Sequence, residues 1–337
     1  MCQHLCDFVR DMNNSIAAIV VTYNRKELLM ECLAALIGQS QHLDIIYIID
    51  NASTDGTPDL LRERQFMNHP RISYHRMPTN GGGAGGFRSG LEIAYQNGHD
   101  WFWIMDDDAI AKTDALAQMI PHLNYGEICA LANLKIDSVG EVQHFHLGKA
   151  TTWNPLARDL INPIRPADYE NKDHVEIEFS SFVGLLVNRY AVEQIGFPNQ
   201  DFFIHYDDYE YCLRMRQVGK IVLVPKSVII HKSSHLVQSR KRFLFLSGVS
   251  HSLRAHCFHY FSYRNRTWIV KQYVGLGLLG TTVWAAVHFA RQVLKATLFE
   301  RDHYCTRVYV LFRAHLDGLS NRFDNSFPMQ VMNGKMS

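Results

Sequence analysis

The first third of the chain alternates apolar, strand-like runs with helix-periodic segments, and this alternation limits the fold more than any other feature. Ile16–Thr22 (IAAIVVT) is a β-branched apolar run of the kind buried on both faces of a parallel sheet. Asn24 then fits a helix N-cap, with Glu27 three residues on, ahead of the apolar positions Leu28, Cys32, Leu33 and Leu36. Ile45–Asp50 (IIYIID) reads as a second strand, Pro58–Arg64 as a helix after the loop NASTDGT, and Arg71–His75 as a weaker third strand. A glycine-rich turn at Asn80–Gly86 precedes a helix over Phe87–Asn97, and Trp101–Met105 (WFWIM) is a fourth strand running into Asp106-Asp107-Asp108. Strands and helices alternating in units of ~30 residues predict an α/β fold with right-handed crossovers around a mostly parallel sheet. Ligands of such sheets bind beyond the carboxyl ends of the strands, so the polar residues there are the ones to inspect.

Beyond residue 110 the pattern loosens. Ile128–Leu134 is a further strand, residues 140–178 read as loops with short strands, and Phe179–Asn188 is apolar again. Asp207–Gly219 reads as a helix with Tyr209, Cys212, Leu213 and Arg216 on one face, and Ile221–Val224 and Val228–His231 as two short strands broken by Pro225. Charge then changes sign. Residues 1–231 carry 19 Lys and Arg against 29 Asp and Glu, net −10, whereas residues 232–337 carry 15 against 4, net +11. Three parts are expected: an N-terminal extension (1–15), an α/β domain (16–231) and a basic, mainly helical C-terminal region (232–337). The sign of that last region suits a membrane surface or another polyanion, or docking on the acidic body.

Gln272–Ala290 runs 19 residues without a charge, close to the ~20 of a spanning helix. It holds Gln272, three Gly, two Thr and His288, so the expectation is a helix lying in the membrane interface or buried in the tail, not a span. The first residues lack the apolar core of a secretory signal. Seven scattered Cys with no CxxC pair argue against a disulfide framework and a zinc knuckle, and for a reducing cytoplasm.

Five groups of residues could carry chemistry. Asp106-Asp107-Asp108 gathers three carboxylates that repel one another; a hard divalent cation, Mg²⁺ or Mn²⁺, gives a reason for them, and Asp106 and Asp108 share one side of an extended segment. The alternative is a solvated acidic loop that caps the next helix. Asp207-Asp208 heads a helix, where the dipole alone favours acids. Phe202, Phe203, Ile204, Tyr206 and Tyr209 would desolvate the pair and make a better general base. His231, polar at the end of an apolar strand, could complement the acid site as a metal ligand or be structural. TNGGGAGGF (79–87) contains Gly81-x-Gly83-x-x-Gly86, but the first strand has no glycine turn, so a dinucleotide site is excluded and a loop shaped around sugar or phosphate stays open. Finally, Thr22 and Arg25 after the first strand and Asp50 after the second offer a hydroxyl, a guanidinium and an acid to a base or phosphate.

VVTYNR, IIDNASTDGT, NGGGAGGFRSG, WIMDDD and FIHYDDYEYCLRMRQVGK, in this order and ending at His231, resemble glycosyltransferase family 2, the inverting GT-A enzymes that use sugar nucleotides. The likeness covers residues 16–231 and is nearest to bacterial galactofuranosyltransferases, with rhamnosyltransferases as close relatives. YFSYRNR (260–266) and HLDGLSNR (315–322) also recur in these branches, whose helical tail often helps hold the membrane. The resemblance implies a GT-A fold, Rossmann-like with a mixed and mostly parallel sheet. It implies that Thr22, Arg25 and Asp50 hold the nucleotide, that Asn80, Gly82, Gly83 and Arg88 shape the diphosphate and sugar pocket, and that Asp107 faces the donor. It further implies Asp106, Asp108 and His231 as ligands of Mn²⁺ or Mg²⁺, and Asp208, in the DDxE stretch with Asp207, as the general base.

The implied reaction moves a sugar, galactofuranose from UDP-galactofuranose, to a hydroxyl of a lipid-linked or polysaccharide acceptor in cell-surface polysaccharide (O-antigen type) assembly. It would take place at the inner face of the cell membrane, with no nucleic-acid partner. A rhamnosyltransferase using a dTDP-sugar is the alternative, and a silent sugar-nucleotide binder or scaffold the non-enzymatic one. Tyr206 stands where some galactofuranosyltransferases carry Trp, which leaves acceptor recognition open.

Overall fold

The computed structural model describes residues 14–123, 127–150, 160–232, 239–243, 246–300 and 302–334; the expected N-terminal extension lies, except for its last two residues, outside them. The chain divides into two compact units, one within residues 1–150, 161–198 and 211–232, the other within 151–160, 199–210 and 233–337.

The first unit is built on nine strands: β1 (Ile16–Thr22), β2 (Ile45–Asp50), β3 (Ile72–Arg76), β4 (Trp101–Asp106), β5 (Ala109–Ala111), β6 (Ile128–Ile136), β7 (Val175–Ile177), β8 (Leu185–Asn188) and β9 (Lys220–His231). Their order is β3-β2-β1-β4-β8-β6-β9-β5, with β7 paired to β9. Strands β1 to β4 are mutually parallel, β8 is antiparallel to both β4 and β6, and β9 returns parallel to β6. This is the mixed, mostly parallel α/β sheet that the strand–helix alternation predicts. Helices α1 (Lys26–Ile37), α2 (Thr57–Glu63) and α3 (Gly82–Gln96) make the crossovers. Strand β1 is buried at every position, and Trp101 and Trp103 of β4 are fully enclosed, as a strand covered on both faces requires.

Four local expectations are corrected. Asn24 does not cap α1: its backbone is left-handed (φ 54°) and its Oδ1 accepts from Thr54 N at 2.6 Å, while Asp55 Oδ2 accepts from Lys26 N, 3.1 Å away, at the helix start. The glycine cluster is not a turn before a helix but the first turns of α3 itself. A Cβ on Gly86 would lie 2.5 Å from Val21 Cγ1, and one on Gly90 2.3 Å from Ile19 Cγ2, so the helix backbone packs directly on β1. Pro225 does not split β9; the ladder to β6 merely slips between Val224 and Val228, and a residue without an N–H sits in the irregularity. The helix α4 (Asp207–Met215) stops short of Gly219; it begins in the second unit and ends in the first.

The second unit holds α5 (Leu253–Tyr273), α6 (Gly277–Phe299), α7 (Tyr304–Ser320) and α8 (Phe327–Met332); α5, α7 and α8 pack around Cys257, Tyr260, Phe261, Val310, Ala314, Phe327 and Val331, and α6 sets Trp284 and Ala285 against Val270 of α5. The uncharged run Gln272–Ala290 is not one helix: it breaks between α5 and α6, where Gly275 and Gly277 take φ of 72° and 65°. Among the described residues no helix is long and apolar enough to cross a membrane. Even so, α6 leaves Leu278, Leu279, Val283, Val287 and Leu294 exposed, and α7 does the same with Tyr309, Phe312 and Leu316.

Beneath that face runs an ordered polar chain. Arg266 Nη1 donates to His288 Nε2 (3.3 Å), His288 Nδ1 to His315 Nε2 (3.3 Å), His315 Nδ1 to Thr267 Oγ1 (2.8 Å), and Thr267 Oγ1 to Tyr263 O (2.7 Å). Each imidazole accepts at one nitrogen and donates at the other, so both are neutral.

Candidate functional site

Parallel strands deliver their carboxyl ends to one edge of the sheet, and β1 and β4 are adjacent there. Thr22 Oγ1, the last residue of β1, donates to Asp107 Oδ2 at 2.7 Å. Arg25 Nη1 reaches Asp107 Oδ1 at 3.3 Å and Asp108 Oδ2 at 2.8 Å. Its pKa is raised: burial works against the charge, but Asp107, Asp108 and Asp106 outweigh it. Burial, then the charges of Asp108 and Asp107, push the Asp106 carboxyl up. Burial raises Asp107 to about 6 against the pull of Arg25 and Thr22. Asp108 goes the other way: burial opposes ionisation, yet His231 and Arg25 hold it below the ordinary carboxylate range. Three adjacent acids are thus driven apart in proton affinity by their neighbours.

His231 reaches this corner through sheet pairing. The end of β9 runs antiparallel to β5, with His231 opposite Ala109, the residue after Asp108. Gln143 Nε2 donates to His231 O at 3.2 Å, which turns its Oε1 to accept from His231 Nδ1 at 2.7 Å. Nε2 is left facing Asp108 Oδ1 at 3.3 Å, and that buried oxygen has no hydrogen-bond partner. Among the described residues no three acidic, imidazole or thiol groups already converge as a closed metal cage. The donor set nevertheless fits a hard divalent ion: carboxylate oxygens, an orphaned acceptor, and an imidazole whose outer nitrogen is fixed by an amide.

The other expected residues lie around this corner or away from it. Asp50, at the end of β2, is wholly buried; Oδ2 accepts from Tyr74 Oη (2.6 Å) and pairs with Arg76 (3.5 Å), and Oδ1 accepts from Ser53 N (2.7 Å). It organises the loop after β2 and does not itself face solvent. Asn51 of that loop donates to Gly82 O at 3.0 Å, tying it to α3, while Asn80 Oδ1 accepts from Gly82 N at 2.8 Å. Gly82 needs its φ of 71°. A Cβ on Gly83 would come no nearer than 3.9 Å to Phe87 Cε2, and one on Gly85 meets nothing within 4 Å, so packing does not explain these two glycines. Arg88 pairs with Glu92 at 2.8 Å along α3. Asp207 and Asp208 belong to the second unit, in the first turn of α4, where Asp208 Oδ1 accepts from Tyr209 N at 2.7 Å.

Sequence reasoning missed Gln143 and His146. His146 stacks edge-on with His231 (centroids 4.8 Å apart), bonds Ser181 Oγ through Nδ1 (2.9 Å), and is pushed down to about 3 by burial and then by His231 and Lys135. The cluster His144-Phe145-His146 was a visible signal; for Gln143 there was none.

The profile described as "Glycosyl transferase family 2" matches residues 17–196, more than half of the chain. The galactofuranosyltransferase GlfT1 of Mycolicibacterium smegmatis is 28% identical over 207 residues, 60% of this chain and 66% of that protein, so the chain spans just under two thirds of this relative's length. Two solved structures share the fold. One is the mannosyltransferase PcManGT of Pyrobaculum calidifontis in complex with GDP-Man and Mn²⁺, with a TM-score of 0.52 and 16% identity over 92% of this chain and 88% of that one. The other is GalNAc-T7 with UDP, GalNAc and Mn²⁺, with a TM-score of 0.55 and 14% identity over 76% and 50%. The sheet agrees with the fold of these structures, and because the profile covers more than half of its residues the chain belongs to glycosyltransferase family 2.

Proposed function

We propose that the chain is an inverting glycosyltransferase that moves galactofuranose from UDP-galactofuranose to a hydroxyl of a lipid-linked or polysaccharide acceptor. The observation that carries this reading is the convergence of Thr22, Arg25 and His231 on Asp107 and Asp108 at the carboxyl end of β4. Thr22 and Arg25 hold the nucleotide, Asp50 acts through the loop it anchors, and Asp107 faces the donor. Asn80, Gly82, Gly83 and Arg88 line the diphosphate and sugar, with the space at Gly83 left for the ligand. Asp106, Asp108 and His231 would hold Mn²⁺ or Mg²⁺, which when bound neutralises the departing diphosphate. The acceptor oxygen attacks C1 from the face opposite the diphosphate, the C1–O bond to the diphosphate breaks, and Asp208, beside Asp207, takes the hydroxyl proton. One displacement inverts the anomeric centre. No cysteine takes part.

The C-terminal unit supports a place at the cytoplasmic membrane surface. Its exposed apolar faces on α6 and α7 belong to a region of net charge +11, a combination that favours an anionic leaflet. The deciding experiment is turnover of UDP-galactofuranose, UDP-galactopyranose and dTDP-rhamnose with and without Mn²⁺. Turnover of UDP-galactofuranose alone, lost in chelator, is expected; preference for dTDP-rhamnose would replace the donor, and turnover of none would remove the reading.

A further inference from the structure

The segment that leads into the proposed base has an unusual backbone. Phe203, His205 and Tyr206 all take left-handed φ, 63°, 67° and 65°, immediately before Asp207 and Asp208. Side-chain-bearing residues avoid this region, and a cluster of them persists only where the surroundings over-determine it. Here the surroundings are two adjacent, wholly buried side chains of α5. Asn265 Nδ2 lies 3.0, 3.1 and 2.8 Å from the carbonyl oxygens of Phe202, Ile204 and His205, so its two hydrogens serve three acceptors. Arg264 Nη2 donates to Asp201 O (3.1 Å) and Phe202 O (3.0 Å), Nη1 to Asn325 Oδ1 (2.8 Å), and Nε to Asn265 Oδ1 (2.9 Å), which aims the amide. Phe203 stacks on Phe261 with centroids 4.9 Å apart. The helix that carries the pair is itself fixed: a Cβ on Gly318 of α7 would lie 2.5 Å from Arg264 O, so α5 and α7 cross with their backbones in contact.

We infer that Arg264 and Asn265 are positioning residues for the Asp207–Asp208 pair, fixing the segment 203–206, with its three positive-φ residues, and with it the point and direction from which α4 starts. This rests on the reading of Asp208 as the base. An Arg and an Asn buried together to serve backbone carbonyls are costly as mere filling. Five of their contacts fall on residues 201–205, the stretch that sets the acid pair. YFSYRNR and HLDGLSNR, which the donor site leaves unexplained, thereby share a single purpose, the first supplying the clamp and the second the glycine that seats it.

The test is a double-mutant cycle in the full chain, Asn265→Ala against Asp208→Asn, followed by kcat, UDP affinity from calorimetry and the melting temperature. Asn265→Ala is expected to lower kcat about 10- to 100-fold, the loss produced by misplacing a reacting group by ~1 Å, with UDP affinity unchanged. In the Asp208→Asn background it should add almost nothing, since both changes then act through one carboxylate. Equal fold-losses in the two backgrounds, or a fall in UDP affinity that accounts for the rate, would overturn the clamp. Parental kcat in Asn265→Ala beside an inactive Asp208→Asn would remove the clamp and leave the base standing, whereas parental kcat in Asp208→Asn would remove the base reading itself. Should Asn265→Ala be too unstable to assay, Asn265→Ser keeps one donor for the three carbonyls and is judged by the same cycle, with a smaller loss.

Discussion

His231 Nε2 faces Asp108 Oδ1 across 3.3 Å while Gln143 holds the opposite ring nitrogen at 2.7 Å. Gln143 therefore decides which nitrogen is free for a cation. Asp108→Ala should nearly abolish turnover with the fold intact. Gln143→Ala should raise the Mn²⁺ concentration for half-maximal rate about 10- to 100-fold, the usual effect of losing a ligand's outer partner, with kcat recovered at saturating metal. Manganese titration of the initial rate measures both, and a Gln143→Ala curve that overlays the parent would show that the amide sets nothing.

The glycines of α3 should separate into two kinds. Gly90→Ala forces a Cβ to within 2.3 Å of Ile19, and overpacking of this sort costs roughly 1–3 kcal/mol. Gly83→Ala meets nothing closer than 3.9 Å and removes a helix glycine, so stability should hold or rise by about 0.5–1 kcal/mol. UDP binding in that variant should weaken about tenfold, or ~1.4 kcal/mol. Denaturant melts and calorimetric titration distinguish the two; an unstable Gly83→Ala with intact binding would reverse the assignment.

Acid should loosen the C-terminal unit. Burial, and then Arg266, push His288 down to about 3 and His315 to about 4 from an ordinary value of 6.5. The folded state binds fewer protons than the unfolded one, so the contribution is complete above pH 6.5 and lost as pH falls through 6.5 toward 4. An extra proton would set N–H against N–H between His288 and His315, or against the Arg266 guanidinium. Melting temperature should fall over that interval, and His288→Gln should flatten the slope. An equal slope in the variant would place the acid sensitivity elsewhere.

Membrane attachment is expected to have two components. Salt should release part of the protein, because basic residues near an anionic surface contribute about 1 kcal/mol each and are screened. Detergent should release the rest. Leu279→Asp with Val283→Asp places charges on the exposed face of α6 and should abolish the salt-resistant fraction in sedimentation with anionic vesicles. Undiminished binding of the double variant, or of a chain ending near Ser233, would rule out the C-terminal faces.

The sheet was legible because β1, β2 and β4 are continuous apolar runs whose buried pairing leaves no other arrangement. Thr22, Arg25, Asp107, Asp108 and His231 could be read as strand-end polar residues, and they do meet. What stayed hidden depends on tertiary contact. Asn24 has the chemistry of a cap, but Thr54 N takes its side-chain oxygen while Ser53 Oγ accepts from its backbone N–H. The glycine-rich stretch Asn80–Gly86 looks like a turn, but from Gly82 on it opens α3, with Gly86 set against Val21. Gln143 carries no local pattern at all; its role is set by a backbone carbonyl 88 residues away.

Strand β9 fixes the acidic corner through its register. Its last three residues are zipped to β5, with His231 opposite Ala109, and Lys232 N continues the pairing onto Asp108 O at 2.9 Å. The distance between imidazole and carboxylate is thus inherited from a count of peptide units. An insertion or deletion of one residue between Val228 and His231 would present Ile230, or the residue after the histidine, at the acidic corner and turn the imidazole to the other side of the sheet. Length variation among relatives should therefore spare this stretch even where the identities of its apolar residues drift.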